Sequence, residues 1–134
     1  MIKFYKQKDI NKQKWDSCIE GSKHSSVFGY SWYLNTVCDD WCALILNDYE
    51  AVLPLAVRSK YKIDIIYQPF FTRYYSVYSK NNVSHTLLNS FLEAIPSKYK
   101  YIEFGLDHET DLKNKSFEFK ERKFQIVDLN KLYS

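Results

Sequence analysis

The side chains that most often carry acid–base chemistry are few and scattered in this sequence. Its three histidines fall in different predicted elements, and none forms a triad or metal-binding pattern with a carboxylate: His24, His85 and His108. Glu103 stands on a predicted strand, where burial would raise its pKa towards that of a general base. The alternation of apolar residues around it favours a solvent-facing position instead. The spacing therefore assigns no catalytic residue.

The cysteines predict neither a zinc site nor a disulfide scaffold. There are three of them, Cys18, Cys38 and Cys42, and no second pair of cysteines or histidines follows at zinc-ligand spacing. Small exported domains that depend on disulfides have an even, dense set of cysteines. We therefore expect reduced, structural thiols and no bound metal.

The densest group of aromatic residues lies in the segment 67–78, where six of twelve residues carry rings. Such a segment either fills a core or lines a cleft. Gln68 and Thr72 are its polar members beside the turn that Pro69 fixes, and they are the better candidates for binding. For Trp32 and Phe70, packing of helices onto a sheet is the favoured role.

Two groups of basic residues are weaker candidates. Arg73 and Lys80 precede the predicted start of a helix near Asn82, an arrangement that could bind an anion, but a solvated polar loop is the favoured interpretation. The basic residues of the segment 113–123 are interrupted by glutamates, which is typical of a mixed, solvated face. Neither group predicts a nucleic-acid site.

Length and composition limit the classes of protein to consider. The 134 residues suffice for a single domain, 1–134, and their 46% hydrophobic and 26% charged content is that of an ordinary folded chain. A net charge of +3 is too small for a dedicated nucleic-acid binder. No apolar run reaches the roughly 20 residues of a membrane span or has signal-peptide character, so we expect a cytoplasmic protein.

Apolar periodicity predicts the elements in order. Asn11, Ser31 and either Asn82 or Ser84 are candidate N-caps, and Gly21 and Pro96 end helices. Pro54 requires its strand to lie at an edge or to carry a bulge. The predicted helices and strands are a strand at 2–6, helices at 12–21 and 32–38, strands at 41–46, 51–57 and 63–67, a helix at 83–95, a strand at 101–105 and extended structure over 117–129. This β-α-α-β-β-β-α-β-β order predicts an α+β fold with a mixed, mainly antiparallel sheet flanked by helices.

The element order resembles that of the GNAT acetyltransferase fold, and four sequence blocks narrow the resemblance. They are KWDSCI (14–19), YSWYL (30–34), DYEAVLPL (48–55) and YQPFFT (67–72), and they are similar, in this order, to the first half of FemAB-like proteins. VDLN (127–130) resembles the segment with which that half leads into the second. The resemblance covers most of residues 1–130.

The resemblance implies a substrate groove between the second helix and the turn at Pro69. The residues it places there are Tyr30, Trp32, Tyr33, Tyr67, Gln68, Phe71 and Thr72. GNAT enzymes hold the pyrophosphate of acyl-coenzyme A in a Gln/Arg-x-x-Gly-x-Gly/Ala turn, whereas TRYYSVY (72–78) contains no glycine. Because large side chains keep a phosphate from approaching the backbone, we expect no coenzyme A and no other cofactor.

FemAB-like relatives of known activity transfer amino acids from aminoacyl-tRNA to an amine of a peptidoglycan precursor. The resemblance therefore implies an acyl- or aminoacyltransferase-related domain that contributes acceptor binding and scaffolding and is not catalytically complete alone. The alternative is a non-enzymatic module that binds a peptide, glycan or protein through its aromatic groove. A lone half would expose an edge and an apolar patch, which predicts a homodimer, a larger homo-oligomer or pairing with a second GNAT-like domain.

Overall fold

The computed structural model describes residues 1–23 and 25–106 of the chain. Within these residues an open, mainly antiparallel sheet is flanked by three helices, which confirms the predicted α+β class. The elements in chain order are β1 (Ile2–Lys6), α1 (Lys12–Gly21), α2 (Ser31–Val37), β2 (Trp41–Leu46), β3 (Ala51–Lys60), β4 (Ile63–Ile66), β5 (Tyr78–Ser79), α3 (His85–Glu93) and β6 (Tyr99–Ile102). Among the described residues, no helix has the length and apolar character needed to cross a bilayer.

The sheet is built around the long strand β3. The strand order is β1-β2-β3-β4-β6, and only the pairing of β4 with β6 is parallel. One edge of β3 pairs with β2 over residues 51–56. Its other edge is divided between two strands, because β4 pairs with residues 57–60 and β5 with residues 51–52. The sheet therefore splits on this side of β3.

Pro54 lies in that split, at neither a sheet edge nor a bulge, so this prediction was wrong. The register with β2 is continuous, and Pro54 stands opposite Ala43. The Val57 N–H donates to the Asp40 carbonyl, and antiparallel strands alternate bonded and non-bonded pairs, so the nitrogen of Pro54 faces away from β2. There it meets the gap between β4 and β5. An interior strand tolerates the proline because no ladder bond is lost at this position.

The first helix begins as its sequence predicts. The Asn11 side chain accepts a hydrogen bond of 3.1 Å from the Lys14 N–H, which confirms the N-cap. Ile10 and Trp15 on either side are buried in the core. The indole of Trp15 also donates to the Gly29 carbonyl at 2.7 Å. This bond fixes the chain that leads into α2.

The cap of α2 differs from the prediction. Tyr30 occupies the N-cap position, and Ser31 is the first helical residue. Both the N–H and the hydroxyl of Ser31 donate to the Asp16 carboxylate, each at 2.8 Å. A carboxylate on α1 therefore satisfies the amino end of α2, which a prediction from local sequence could not include.

The second half of the described chain also agrees with the prediction in outline. Ser84 caps α3 by accepting from the Leu87 N–H at 3.0 Å, and the helix ends before Pro96. The strand predicted at 101–105 lies two or three residues earlier, at β6. The two-residue strand β5 was not predicted, so the observed order has an extra strand before α3. The extended structure predicted over 117–129 lies outside the described residues.

Candidate functional site

An aromatic surface forms where the start of α2 meets the turn after β4. Its seven residues are connected by ring contacts or lie on the same turn, and we refer to them as the aromatic surface: Phe28, Tyr30, Trp32, Tyr33, Phe70, Phe71 and Tyr74. Tyr30 stacks on Trp32 with a ring-centroid distance of 6.1 Å, and Trp32 meets Tyr33 edge to face at 5.9 Å. Phe28 joins Tyr33 to Tyr74 at 5.7 and 5.1 Å.

The turn at 69–72 carries the two most exposed rings of this surface. Phe70 and Phe71 have 86% and 85% of their surface exposed, and Trp32 has 57%. The Thr72 N–H donates to the Pro69 carbonyl at 3.3 Å, which closes the turn. The packing role expected for Trp32 and Phe70 is therefore wrong, since both rings face solvent.

The backbone conformation of Phe71 is unfavourable for a residue other than glycine. Its φ is +65°, in the left-handed region, and it stands at the third position of the turn, where a type II turn normally has glycine. Tyr61 and Lys62 also have positive φ, but they form the two-residue loop between β3 and β4 that requires it. At Phe71 the sequence keeps a large exposed ring at a position that glycine would occupy without strain.

A backbone contact joins the two parts of the surface. The hydroxyl of Tyr33 on α2 donates to the Phe71 carbonyl in the turn. This contact joins the turn to the helix. Tyr30 and Trp32 are nearly parallel, whereas the planes of Phe70 and Phe71 differ by 57° and those of Trp32 and Tyr33 by 79°.

Gln68 supports this turn with both ends of its amide. Its Nε2 donates to the Thr72 carbonyl at 2.8 Å, and its Oε1 accepts from the Gly105 N–H at 2.7 Å. The turn is thereby tied to the chain that follows β6. Gln68 therefore acts within the fold, as a brace for the turn that carries the rings.

Thr72 and Tyr67 lie beside the aromatic surface rather than on it. Thr72 is buried, with 7% of its surface exposed. Tyr67 is half-buried, and the Arg58 guanidinium lies over its ring at 4.3 Å. Burial is the main cause that raises the pKa of Tyr67 above its ordinary value. Of the seven residues predicted for the groove, Tyr30, Trp32, Tyr33 and Phe71 therefore form the surface, and the other three lie behind or beside it.

Five of the seven residues in the glycine-free segment 72–78 are buried. Tyr75, Val77 and Tyr78 are almost fully buried. The Tyr78 ring lies so close to Gly29 that a Cβ built there would be 2.7 Å from it. Of the predicted anion-site residues, Arg73 is exposed and the Lys80 side chain packs against Gly21 on α1. Ser84 caps the following helix with its own side chain.

The cysteines and Glu103 are the titratable groups that the sequence singled out within the described residues. All three cysteines are buried and free of disulfides, which confirms the structural thiols. Burial raises the pKa of Cys18 and of Cys38 to about 11, so both thiols are protonated at neutral pH. Glu103 follows β6 and accepts from the Tyr101 hydroxyl. Within residues 1–23 and 25–106, no three His, Cys, Asp or Glu side chains are grouped to hold a metal ion.

The other three rings of the surface, Phe28, Phe70 and Tyr74, were not among the residues predicted for the groove. Phe28 follows a polar stretch, and its single ring gives no periodic signal. Tyr74 belongs to the ring-rich segment, but its neighbour Tyr75 is in the core. Phe28 and Tyr74 are distant in sequence, and only the contact between their rings identifies them as part of one surface.

Comparisons of the chain with protein-family models, with curated proteins and with solved structures give no match. The aromatic surface is therefore the structural feature on which a proposed function rests.

Proposed function

We propose that this chain is a GNAT-like, FemAB-related domain that binds the acceptor substrate of an acyl or aminoacyl transfer on its aromatic surface. The single observation that carries the binding role is the pair of exposed rings at Phe70 and Phe71. The mainly antiparallel sheet, divided along β3, and the four sequence blocks support the GNAT-like, FemAB-related assignment.

The exposed rings are costly for folding and are therefore best explained by binding. Contiguous exposed apolar patches are rare on monomeric proteins and mark interaction sites. Outside loops that require it, left-handed backbone at residues other than glycine is concentrated at functional sites. Phe71 combines both features, and the Tyr33 hydroxyl holds its backbone in place. A ligand that covers Phe70, Phe71 and Trp32 would remove apolar surface from water in proportion to the area covered.

The angles between the rings favour a peptide acceptor over a glycan. A sugar ring stacks on a flat aromatic face, whereas the ring planes here differ by 57° between Phe70 and Phe71 and by 79° between Trp32 and Tyr33, so the surface offers ring edges as well as faces. Edges and faces together suit aromatic apolar side chains, because edge-to-face contacts are favourable for aromatic pairs. We therefore assign a peptide with apolar side chains and a free amine as the acceptor class.

In this role the chain contributes positioning. Binding the acceptor peptide would orient its amine for direct attack on the ester or thioester carbon of a donor held by a second domain. The amine nitrogen forms the new bond to the acyl carbon, the donor oxygen or sulfur leaves with the bonding pair, and a proton is lost from the nitrogen. The aromatic surface would exclude water from the bound acceptor peptide.

The second candidate function is a peptide-binding module without transfer activity. Gln68 and Thr72 are the polar residues that the sequence predicted to bind. The Gln68 amide is hydrogen-bonded at both ends and Thr72 is buried, so neither side chain is free to contact a reacting group, which favours binding without transfer. The two candidates share the binding surface and differ in whether a partner domain supplies a donor.

The binding role is tested by calorimetric titration with a synthetic acceptor-type pentapeptide and, separately, with an N-acetylglucosamine oligomer. We expect binding of the peptide and at least a tenfold loss of affinity in Phe71→Ala and in Trp32→Ala. Tyr61→Ala is the matched control, since Tyr61 is as exposed as Phe71, at 86%, but lies on the loop between β3 and β4. No binding of the peptide, or an equal loss in Tyr61→Ala, would refute the proposal, and preference for the glycan would refute the acceptor class.

Aminoacyl transfer to the same peptide separates the two candidates. With an aminoacyl-tRNA donor and the isolated chain we expect no product, because the chain supplies only acceptor binding. Product would show that the chain is catalytically complete, which contradicts both candidates. Binding of the peptide together with transfer upon addition of a FemAB-type donor domain would favour the first candidate, and binding without transfer the second.

A further inference from the structure

The aromatic surface consists of two groups of rings that come from different parts of the chain. The first group is connected by ring contacts with centroid distances between 5.1 and 6.1 Å: Phe28, Tyr30, Trp32, Tyr33 and Tyr74. Phe70 and Phe71 form the second group on the turn at 69–72, with their centroids 6.4 Å apart. A ligand that covers both groups binds well only if the two groups are held in a fixed relative position.

The hydroxyl of Tyr33 connects the two groups. The Tyr33 ring belongs to the first group, on α2, and its hydroxyl donates to the Phe71 carbonyl in the second group. The two residues are 38 positions apart in the sequence, so the bond joins segments that local backbone geometry does not hold together. Because its hydrogen is directed at the backbone, this hydroxyl acts on the position of the turn.

Gln68 holds the next carbonyl of the same turn. Its amide nitrogen donates to the Thr72 carbonyl at 2.8 Å, and its amide oxygen accepts from the Gly105 N–H at 2.7 Å. The consecutive carbonyls of Phe71 and Thr72 are therefore bonded to two side chains, one on α2 and one on the segment after β4.

The strain at Phe71 shows what these two bonds maintain. Its φ of +65° is unfavourable for a residue with a side chain, and such a conformation persists only where surrounding contacts determine it. The bond that closes the turn, from the Thr72 N–H to the Pro69 carbonyl, is longer than usual at 3.3 Å. Without the two side-chain bonds, the turn could move away from α2 and Phe71 could leave the left-handed region.

We propose that Tyr33 and Gln68 are positioning residues of the aromatic surface and hold the turn in the arrangement that binds an apolar peptide. The inference rests on the proposed function, since it concerns the same rings and the same peptide. The apparent affinity is reduced by the fraction of chains in which the turn is out of position. Loss of a positioning residue therefore lowers the association rate constant, whereas loss of a ring that contacts the peptide raises the dissociation rate constant.

Stopped-flow binding of the acceptor-type pentapeptide to Tyr33→Phe tests the proposal, because this variant loses the hydroxyl and keeps the ring. We expect the association rate constant to fall about threefold to tenfold, the factor for one hydrogen bond, and the dissociation rate constant to stay unchanged. Gln68→Glu keeps an acceptor for the Gly105 N–H but has no donor for the Thr72 carbonyl, and it should give the same pattern. Phe71→Ala should instead raise the dissociation rate constant.

Tyr101→Phe is the matched control. It also removes a phenol hydroxyl that donates a hydrogen bond, in this case to Glu103, but it lies on β6 and outside the aromatic surface. We expect its rate constants to equal those of the unmodified chain. Incorporation of 4-aminophenylalanine at position 33 supplies an N–H donor in place of the hydroxyl and should restore the association rate constant. An unchanged association rate constant in Tyr33→Phe, or a raised dissociation rate constant in that variant, would overturn the proposal.

A measurement without peptide separates a failure of this inference from a failure of the proposed function. Nuclear Overhauser contacts between the ring protons of residue 33 and the backbone protons of Phe71 report the position of the turn. We expect these contacts to weaken in Tyr33→Phe and Gln68→Glu and to be unchanged in Tyr101→Phe. If they weaken but the unmodified chain binds no peptide, the proposed function is wrong and the positioning roles stand. If they do not weaken, the positioning roles are wrong.

Discussion

The strain at Phe71 predicts that the glycine variant is more stable than the alanine variant at position 71. At position 70 we expect the opposite order. Phe71 has φ of +65°, whereas Phe70 has no positive φ, and both rings are about equally exposed. Comparing glycine with alanine at each position removes the ring in both variants and leaves only the backbone difference. The comparison therefore isolates the conformational cost of the left-handed residue.

The expected magnitudes follow from the backbone alone. A left-handed conformation costs an L-residue about 1–2 kcal/mol. Glycine relieves this cost but loses about 0.5–1 kcal/mol through the larger entropy of its unfolded chain. We therefore expect the free energy of unfolding of Phe71→Gly to exceed that of Phe71→Ala by up to about 1.5 kcal/mol, which is the difference between these two ranges. At Phe70, where no strain is relieved, the glycine variant should be less stable than the alanine variant by about 0.5–1 kcal/mol.

The assay is urea unfolding at neutral pH, followed by tryptophan fluorescence because Trp15 and Trp41 are fully buried. The slope of the free energy against urea must be the same in all four variants, so that midpoints can be compared. A Phe71→Gly variant no more stable than Phe71→Ala would refute the strain. The opposite signs at two adjacent exposed residues could not come from loss of ring packing.

Two further predictions concern the core. Gly29→Ala would place a Cβ 2.7 Å from the buried Tyr78 ring, and we expect it to lower the free energy of unfolding by about 1–3 kcal/mol, measured by thermal denaturation. Burial raises the pKa of the Cys18 and Cys38 thiols to about 11 from the ordinary 9.0. Between pH 9 and 11 the unfolded chain therefore binds fewer protons than the folded chain, and stability should fall as pH rises, by up to ~1.4 kcal/mol per pH unit for each thiol, in urea unfolding at pH 8, 9 and 10.

Each of these predictions has a matched control. Gly21→Ala meets the flexible side chain of Lys80 instead of a buried ring, so its loss should stay within about 0.5 kcal/mol. A loss as large as that of Gly29→Ala would contradict the steric argument. Replacing both Cys18 and Cys38 by alanine should flatten the decline above pH 9. If the stability of this double variant falls as steeply above pH 9 as that of the unmodified chain, groups other than Cys18 and Cys38 cause the decline.

Local signals predicted most of the fold correctly because they describe contacts within a few residues. Asn11 and Ser84 cap helices that follow them directly, and the spacing of Leu88 and Phe91 reports the face of α3 that is buried. Ser31 was assigned incorrectly because its partner, Asp16, lies on another helix. A cap from outside the segment leaves no trace in the local sequence.

The candidate site could be predicted only in part for a similar reason. The composition shows that rings are concentrated in the segment 67–78, but its rings differ in burial: Phe70 and Phe71 are exposed, whereas Tyr75 is in the core. Gln68 was a reasonable candidate for binding until its two backbone partners were known. Exposure and hydrogen bonding depend on the tertiary structure, and residue type alone does not determine them.

The division of one edge of β3 has a mechanical consequence. Hydrogen-bonded ladders resist shear because many bonds must break together, and this resistance is weakest where a ladder is interrupted. Around Pro54, β3 is bonded to β2 on one side and faces the interval between β5 and β4 on the other. On this side, the two ends of β3 therefore pair with different strands. We expect the curvature of the sheet to change most easily at Pro54, which lies between the two pairings.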